Sequence, residues 1–126
     1  MIKFRAWNGY RKIMADYVSA IQNGDTQGTP SSVNVIVDGK NETWDIENDD
    51  VELLQFTGLK DTSGKEIYEN DLVRLTDDLE DPVFRVIFDE AKFEISGSGV
   101  CYDLGEEFMN CEVIGNVYTD GDLIDS

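Results

Sequence analysis

The chain contains no histidine. That absence removes Ser–His and Cys–His nucleophile activation and every zinc set that needs an imidazole. Cysteine is almost as scarce. Cys101 and Cys111 stand alone, and two thiolates do not close a tetrahedral zinc site. They could meet across a hairpin, but the expected cytosolic context favours reduced, partly buried thiols. No apolar run approaches the roughly 20 residues of a membrane span. Nor does an apolar h-region follow the basic Met1–Trp7 segment, as it would in a signal peptide. The expectation is a cytoplasmic protein with no membrane partner. A Gly-rich phosphate loop is also missing. Gly97-Ser98-Gly99 lacks the lysine and following helix of a P-loop and reads as a hinge or wide hairpin. No cofactor is expected.

Positive charge is in short supply too, with ten basic residues against 27 acidic ones. Four of the ten, Lys3, Arg5, Arg11 and Lys12, lie in the first fourteen residues, where there is no acid. From Ala15 onward six basic residues face all 27 acids. Affinity for nucleic acid comes from cations that neutralise phosphates, so direct nucleic-acid binding is not expected. The plain reading of the acidity is solubility. A sharper one is that the basic arm docks on an acidic surface, of its own chain or of a sister subunit in a homo-oligomer.

What is present is a β pattern over 126 residues, enough for one domain or two small lobes. Ile2, Phe4 and Ala6 alternate with Lys3, Arg5 and Trp7, and Asn8-Gly9 suits a type I′ turn into a partner strand over Tyr10–Met14. Ala15–Gln22 is ambiguous, since Tyr17 and Ile21 have the spacing of one face of a short helix that would stop at Gly24. Val33, Val35 and Val37 alternate, Asp38-Gly39 turns, and Thr43–Ile46 returns with Trp44 and Ile46 on one face. Leu53–Leu59 reads as extended, Asp61–Gly64 as a turn, and Leu72–Leu75 and Val83–Phe88 as strands. Asp89–Ala91 turns the chain into Lys92–Ser96. Val100–Leu104 reads as a short strand and Phe108–Tyr118 as the last one. These short strands fit a small SH3-like β-barrel in the C-terminal half. The fold class is therefore mainly β: an N-terminal hairpin-rich lobe over 1–50, with room for one short helix, and a barrel over 51–126.

Three blocks also carry a family resemblance. They are Ile2–Trp7, the central Gln55–Asp61 with Gly64–Tyr68 and Asp71–Val73, and the closing Val113–Tyr118. In order and spacing they resemble the YopX family, encoded mainly by bacteriophages and prophages of Gram-positive bacteria. The resemblance implies a single YopX-like domain over 1–126, with an SH3-like barrel behind a more variable N-terminal region. It implies phage or prophage origin and hence the host cytoplasm. It transfers no catalytic residues. Many relatives carry glycine where this chain has Asn70, the next most tolerant residue of left-handed geometry. Gly58, Gly64 and Gly115 are expected where φ is positive or a side chain would clash. Phe56, Tyr68 and Tyr118 are expected in core or rim packing. Trp7 and Trp44, outside the barrel, would pack the lobe or fill a subunit contact.

Asp81 followed by Glu90-Ala91-Lys92 outlines a metal-dependent nuclease pattern, but 27 acids make such a match easy by chance. Asp45–Asp50 and Asp120–Asp125 could offer oxygens to Ca²⁺, yet neither has EF-hand spacing. Nothing selects a pair of carboxylates for hydrolysis. The expectation is a non-enzymatic interaction or assembly module with a phage or host protein partner. Its candidate contact residues are Lys3, Arg5, Trp7, Arg11, Lys12 and Trp44. The alternative is an acidic decoy that mimics nucleic acid and occupies a basic host DNA-binding or defence protein.

Overall fold

The computed structural model describes residues 3–23, 30–76, 82–97 and 99–123. They are mainly β, with one short α-helix. The chain divides into two compact units, Met1–Gln55 and Phe56–Ser126.

In the first unit, β1 (Phe4–Asn8) pairs antiparallel with β2 (Ile13–Met14). Its other edge pairs with the first half of β6 (Val51–Lys60), Phe4 facing Gln55 and Asn8 facing Val51. A second antiparallel sheet joins β3 (Tyr17–Asn23), β4 (Pro30–Val37) and β5 (Lys40–Asp45), with β4 central. The alternation in β4 turns Val33 and Val35 inward, and the register sets Trp44 opposite Val33. With Ala6 and Ala15 these residues form the unit's core, flanked by Val18, Ile46 and Leu53. Asp38 and Gly39, both at positive φ, make the expected turn, closing β4 onto β5 as a two-residue hairpin.

One expectation for this unit fails, and one ambiguous stretch is resolved. Asn8-Gly9 is not a two-residue turn. Asn8 pairs with Ile13, so the loop is Gly9–Lys12, and the left-handed residue is Lys12. Asn8 organises the loop instead: its side-chain Oδ1 accepts from Arg11 N and its carbonyl from Lys12 N, both at 2.8 Å. Gly9 N and Tyr10 N donate to the carbonyls of Asp50 and Asp49. The ambiguous Ala15–Gln22 is extended and enters strand β3. Pairing with β4 satisfies one side of its backbone, β-branched Val18 and Ile21 suit a pleat, and Val18 joins the core while Tyr17 and Ile21 stay exposed.

The second unit takes up β6 at Phe56 and adds β7 (Glu66–Tyr68), β8 (Asp71–Leu75), β9 (Val83–Asp89), β10 (Lys92–Gly97), β11 (Val100–Asp103) and β12 (Cys111–Asn116). Five of these curl into a half-barrel in the order β11-β10-β9-β8-β12. Its concave face holds Ile67, Val73, Phe84, Val86, Ile95, Leu104 and Cys111. The one α-helix, α1 (Leu104–Glu107), follows β11 and runs into a 3-10 turn over Phe108–Asn110, where strand was expected. Asp103 caps it by accepting from Gly105 N at 2.8 Å. Gly58 and Gly64 have positive φ, and Gly115 lies too close to the Asp120 side chain to carry a Cβ.

Two features set the sheet's geometry. Asn70, between β7 and β8, is left-handed at φ 65°. Its Oδ1 accepts from Arg85 Nη2 (3.0 Å) and Nε (3.2 Å), and its Nδ2 donates to the Tyr118 hydroxyl (2.8 Å). A glycine there would have the conformation without the clamp. At the β9–β10 hairpin, Glu90 and Ala91 both take positive φ. Asp89 pairs with Lys92, so this two-residue turn is made without the Asn or Gly it prefers.

Candidate functional site

The six residues picked out by charge and aromaticity do not form one surface. Trp44 is 2% exposed in the core of the first unit, and its Nε1 donates to Glu42 Oε1 at 3.0 Å. Trp7 is 6% exposed. Their bulk is therefore packed inside the protein instead of being offered to a partner. Arg5 is half-buried, while Lys3, Arg11 and Lys12 are exposed. Arg11 Nη1 lies 2.6 Å from Glu42 Oε1, the same oxygen that receives Trp44. Hydrogen bonds from Trp44 and then Arg11 hold the Glu42 carboxyl below its ordinary pKa. One basic-arm side chain thus meets an acid of its own chain, close to an indole that fixes the acid's rotamer.

Glu42 also borders a shallow, open depression of about 270 Å³ with Ser19, Asn34, Asn41 and Thr43. Its polar groups serve one another. Asn34 Oδ1 accepts from Thr43 Oγ1 at 2.9 Å and from Gln22 Nε2 at 3.3 Å, and Ser19 Oγ donates to the Asn34 carbonyl at 3.1 Å. Such a ladder stiffens a sheet.

The acid patterns resolve into turn chemistry. Glu90 sits exposed at a hairpin tip, and Lys92 Nζ lies 3.6 Å from both Glu94 and Asp103, which raise its pKa. Asp81 lies outside the described residues, so the nuclease outline keeps only these two. Asp45 Oδ1 accepts from Asn48 N, and Asp49 Oδ2 from Asp45 N. Asp120 Oδ2 accepts from Asn116 N and Thr119 Oγ1; Asp125 lies outside the described residues. Among the described residues no three His, Cys, Asp or Glu side chains are grouped to hold a metal ion. No helix of the described chain is long and apolar enough to cross a membrane.

The half-barrel's edges are the more informative surface. At β12 the edge is covered. Thr62 N donates to the Cys111 carbonyl (2.9 Å), and Val113 N to Asp61 Oδ2 (2.8 Å). The other oxygen of Asp61 accepts from Ser63 N, Ser63 Oγ and Lys65 N, so one nearly buried carboxylate ties the Asp61–Lys65 turn to the strand. Burial works to raise the pKa of Asp61, but its hydrogen bonds from Val113, Lys65 and Ser63 outweigh that and hold it below the ordinary value.

At the opposite edge, β11 pairs with β10 in unbroken register from Gly97↔Val100 to Glu94↔Asp103. Val100 and Tyr102 lie on the same face as Ile95 and Val86, yet are 43% and 41% exposed. Phe84 reaches across side-chain-free Gly97 to meet Tyr102 edge-on at 5.8 Å. Phe88, on that face at the far end of β9, is 50% exposed and packs on Phe93 at 4.9 Å. The core face therefore runs out to the edge uncovered by described residues. Neither Val100 nor Tyr102 stood out in the sequence, because edge position is a property of strand order. Only the i, i+2 spacing of the two hinted at it.

The YopX protein family model matches residues 3–125. Among solved structures, the fold is similar to that of protein EF1440 from Enterococcus faecalis, at 22% identity over 98% of both chains and a TM-score of 0.71. It is also similar to protein yopX from Bacillus subtilis, at 22% identity over 96% of both chains and a TM-score of 0.67. At that identity the likeness speaks for the fold. No curated protein matches the chain. With a family match over nearly its full length and a fold shared end to end with these structures, the chain belongs to the YopX family.

Proposed function

We propose that the protein is a non-enzymatic protein-interaction module acting in the cytoplasm of a bacterial host. The observation that carries this reading is the apolar core face running out to a sheet edge that no described residue covers, at Val100 and Tyr102. Exposed apolar side chains that continue a core face mark contact surfaces. The acid clusters support it by serving as turn acceptors. The test is a pull-down from host lysate with tagged protein, comparing wild type with Tyr102→Ala at low salt and at 0.5 M salt. A partner that survives high salt and is lost with Tyr102→Ala is the expected result. No captured protein at either salt would overturn the reading.

The excess of 27 acids over ten basic residues favours one second reading, an acidic decoy for a basic nucleic-acid-binding protein. Its signature is a complex that dissociates steeply with salt. Self-assembly through the basic arm has its own test. Reversing Lys3, Arg5, Arg11 and Lys12 to Glu lowers the mass in solution if the arm joins sister subunits, and an unchanged mass removes that role.

A further inference from the structure

We propose that β11 accepts an added strand, and that the strand it takes is an extended, basic segment of a partner protein, with apolar residues at every second position. This rests on the interaction-module reading and names the chemistry of its partner.

The sheet edges differ in how they are protected. Unpaired strand edges invite pairing, and proteins blunt them with bulges, charges or covering loops. The edge at β12 is covered through Asp61 and Thr62. β3 slips register twice against β4, between Val18 and Ala20 and between Gln22 and Asn23. β5 carries Lys40, Glu42 and Asp45 along six residues. β11, Val-Cys-Tyr-Asp, has no proline, no lysine and no bulge, and its one charge, Asp103, stands at its last position. In a two-residue hairpin the flanking pair, here Gly97 and Val100, is the hydrogen-bonded one. The N–H and C=O of Cys101 and the N–H of Asp103 therefore point away from β10, where a further strand would lie.

Side-chain chemistry selects among the strands that could add there. An added strand presents alternate residues to each face. On one face they meet Val100 and Tyr102, an apolar shelf backed by Phe84. On the other face Glu94 and Asp103 hold Lys92 between them, and Glu106 and Glu107 follow in α1, the helix that leaves the end of β11 and packs beside it. From Pro82 to Glu107 there are six acids and two basic residues. A second copy of this chain would bring the same excess against itself, whereas lysines or arginines on the partner would complement it. Main-chain pairing supplies affinity and the shelf and rim supply selectivity, as in other strand-addition complexes.

The test uses full-length ¹⁵N-labelled protein and three synthetic peptides: alternating Lys-Val, alternating Glu-Val, and the Lys-Val composition with its residues grouped instead of alternated. The expected result is saturable shifts of the Cys101 and Asp103 amides with alternating Lys-Val only, weakened at 0.5 M salt. Cys101→Pro removes the outward N–H without touching the β10 ladder, a position where proline is tolerated. It should weaken binding at least tenfold while circular dichroism and the melting midpoint stay near wild type. Should that variant fail to fold, Glu106→Lys, on the exposed rim, should still weaken the Lys-Val peptide and strengthen Glu-Val. Shifts that map elsewhere, equal binding of all three peptides, or no binding overturn the β11 proposal, as does concentration-dependent dimerisation through these amides. A lysate partner indifferent to Cys101→Pro and Tyr102→Ala overturns it while leaving the module reading intact; no partner at all removes both.

Discussion

Asp61 should be the most consequential acid in the second unit. It is 6% exposed and accepts four hydrogen bonds, three from backbone N–H groups. Asp61→Ala orphans all of these donors. Hydrogen bonds to charged groups contribute about 1.5–3 kcal/mol each, not additively, so a loss of about 3–5 kcal/mol is expected. That is a large part of the roughly 5–15 kcal/mol that holds a typical domain. Asp61→Asn separates the two ends of the contact. Its Oδ1 can still accept from Ser63 and Lys65, but Nδ2 then faces the Val113 N–H. Donor against donor should cost about 1–3 kcal/mol. Urea unfolding followed by far-ultraviolet circular dichroism measures both, and amide exchange at Val113 locates the damage. The pH dependence follows from the lowered pKa. A carboxylate more acidic in the folded state stabilises fully above its unfolded value, near 3.8, and the contribution fades as pH falls from there through the lower folded value. Asp61→Asn should flatten that part of the acid-unfolding curve. An Asp61→Ala cost under 1 kcal/mol, or unaltered Val113 exchange in Asp61→Asn, would refute the reasoning.

Three further outcomes are expected. Replacing Glu90-Ala91 with Asn-Gly should stabilise the protein by about 1–2 kcal/mol, since left-handed backbone costs roughly that much per ordinary residue; the urea midpoint checks it. At Asn70 the order should be wild type, then Gly, then Ala. Glycine loses the bonds to Arg85 and Tyr118 but keeps the conformation, whereas alanine loses both, and thermal melts of the three rank them. Trp44→Ala should cost about 3–5 kcal/mol by emptying the first unit's core, with exchange protection lost first at Val33 and Val35.

What could be read in the sequence was whatever local chemistry decides. Asp38-Gly39 announced its hairpin because both residues tolerate positive φ, and the alternation over Val83–Phe88 put Phe84 and Val86 on one face, which the structure buries. Asn8-Gly9 carried the same signal and misled, because Asn8 is held as the last residue of β1 by Val51 and Ile13 and used its side chain to shape a longer loop. Glu90-Ala91 carried no turn signal at all; the pairing of β9 with β10 imposes its backbone. The short helix was signalled by Asp103 with Glu106 three residues on, a helix-start pattern hidden behind the strand-like run before it. The tryptophans showed that something large must be packed, but not that the packing is internal. The candidate edge was invisible for a different reason. Whether Val100 and Tyr102 are covered depends on which strand lies beside them, and strand order is settled by residues far away.

That order also has a consequence for how the chain is made. β8 receives β9 on one side soon after it emerges, but its other side waits for β12, whose pairing joins Leu75 to Cys111. At ribosomal speeds of roughly 5–20 residues per second, that gap is about two to seven seconds. Through it, the strand that will lie in the interior of the sheet is itself an open edge, and Asp61 has yet to meet Val113. A nascent chain stalled in that window displays an apolar strand edge in mid-sheet, so synthesis arrested just before Cys111 is where this protein is most exposed to chaperone capture or aggregation.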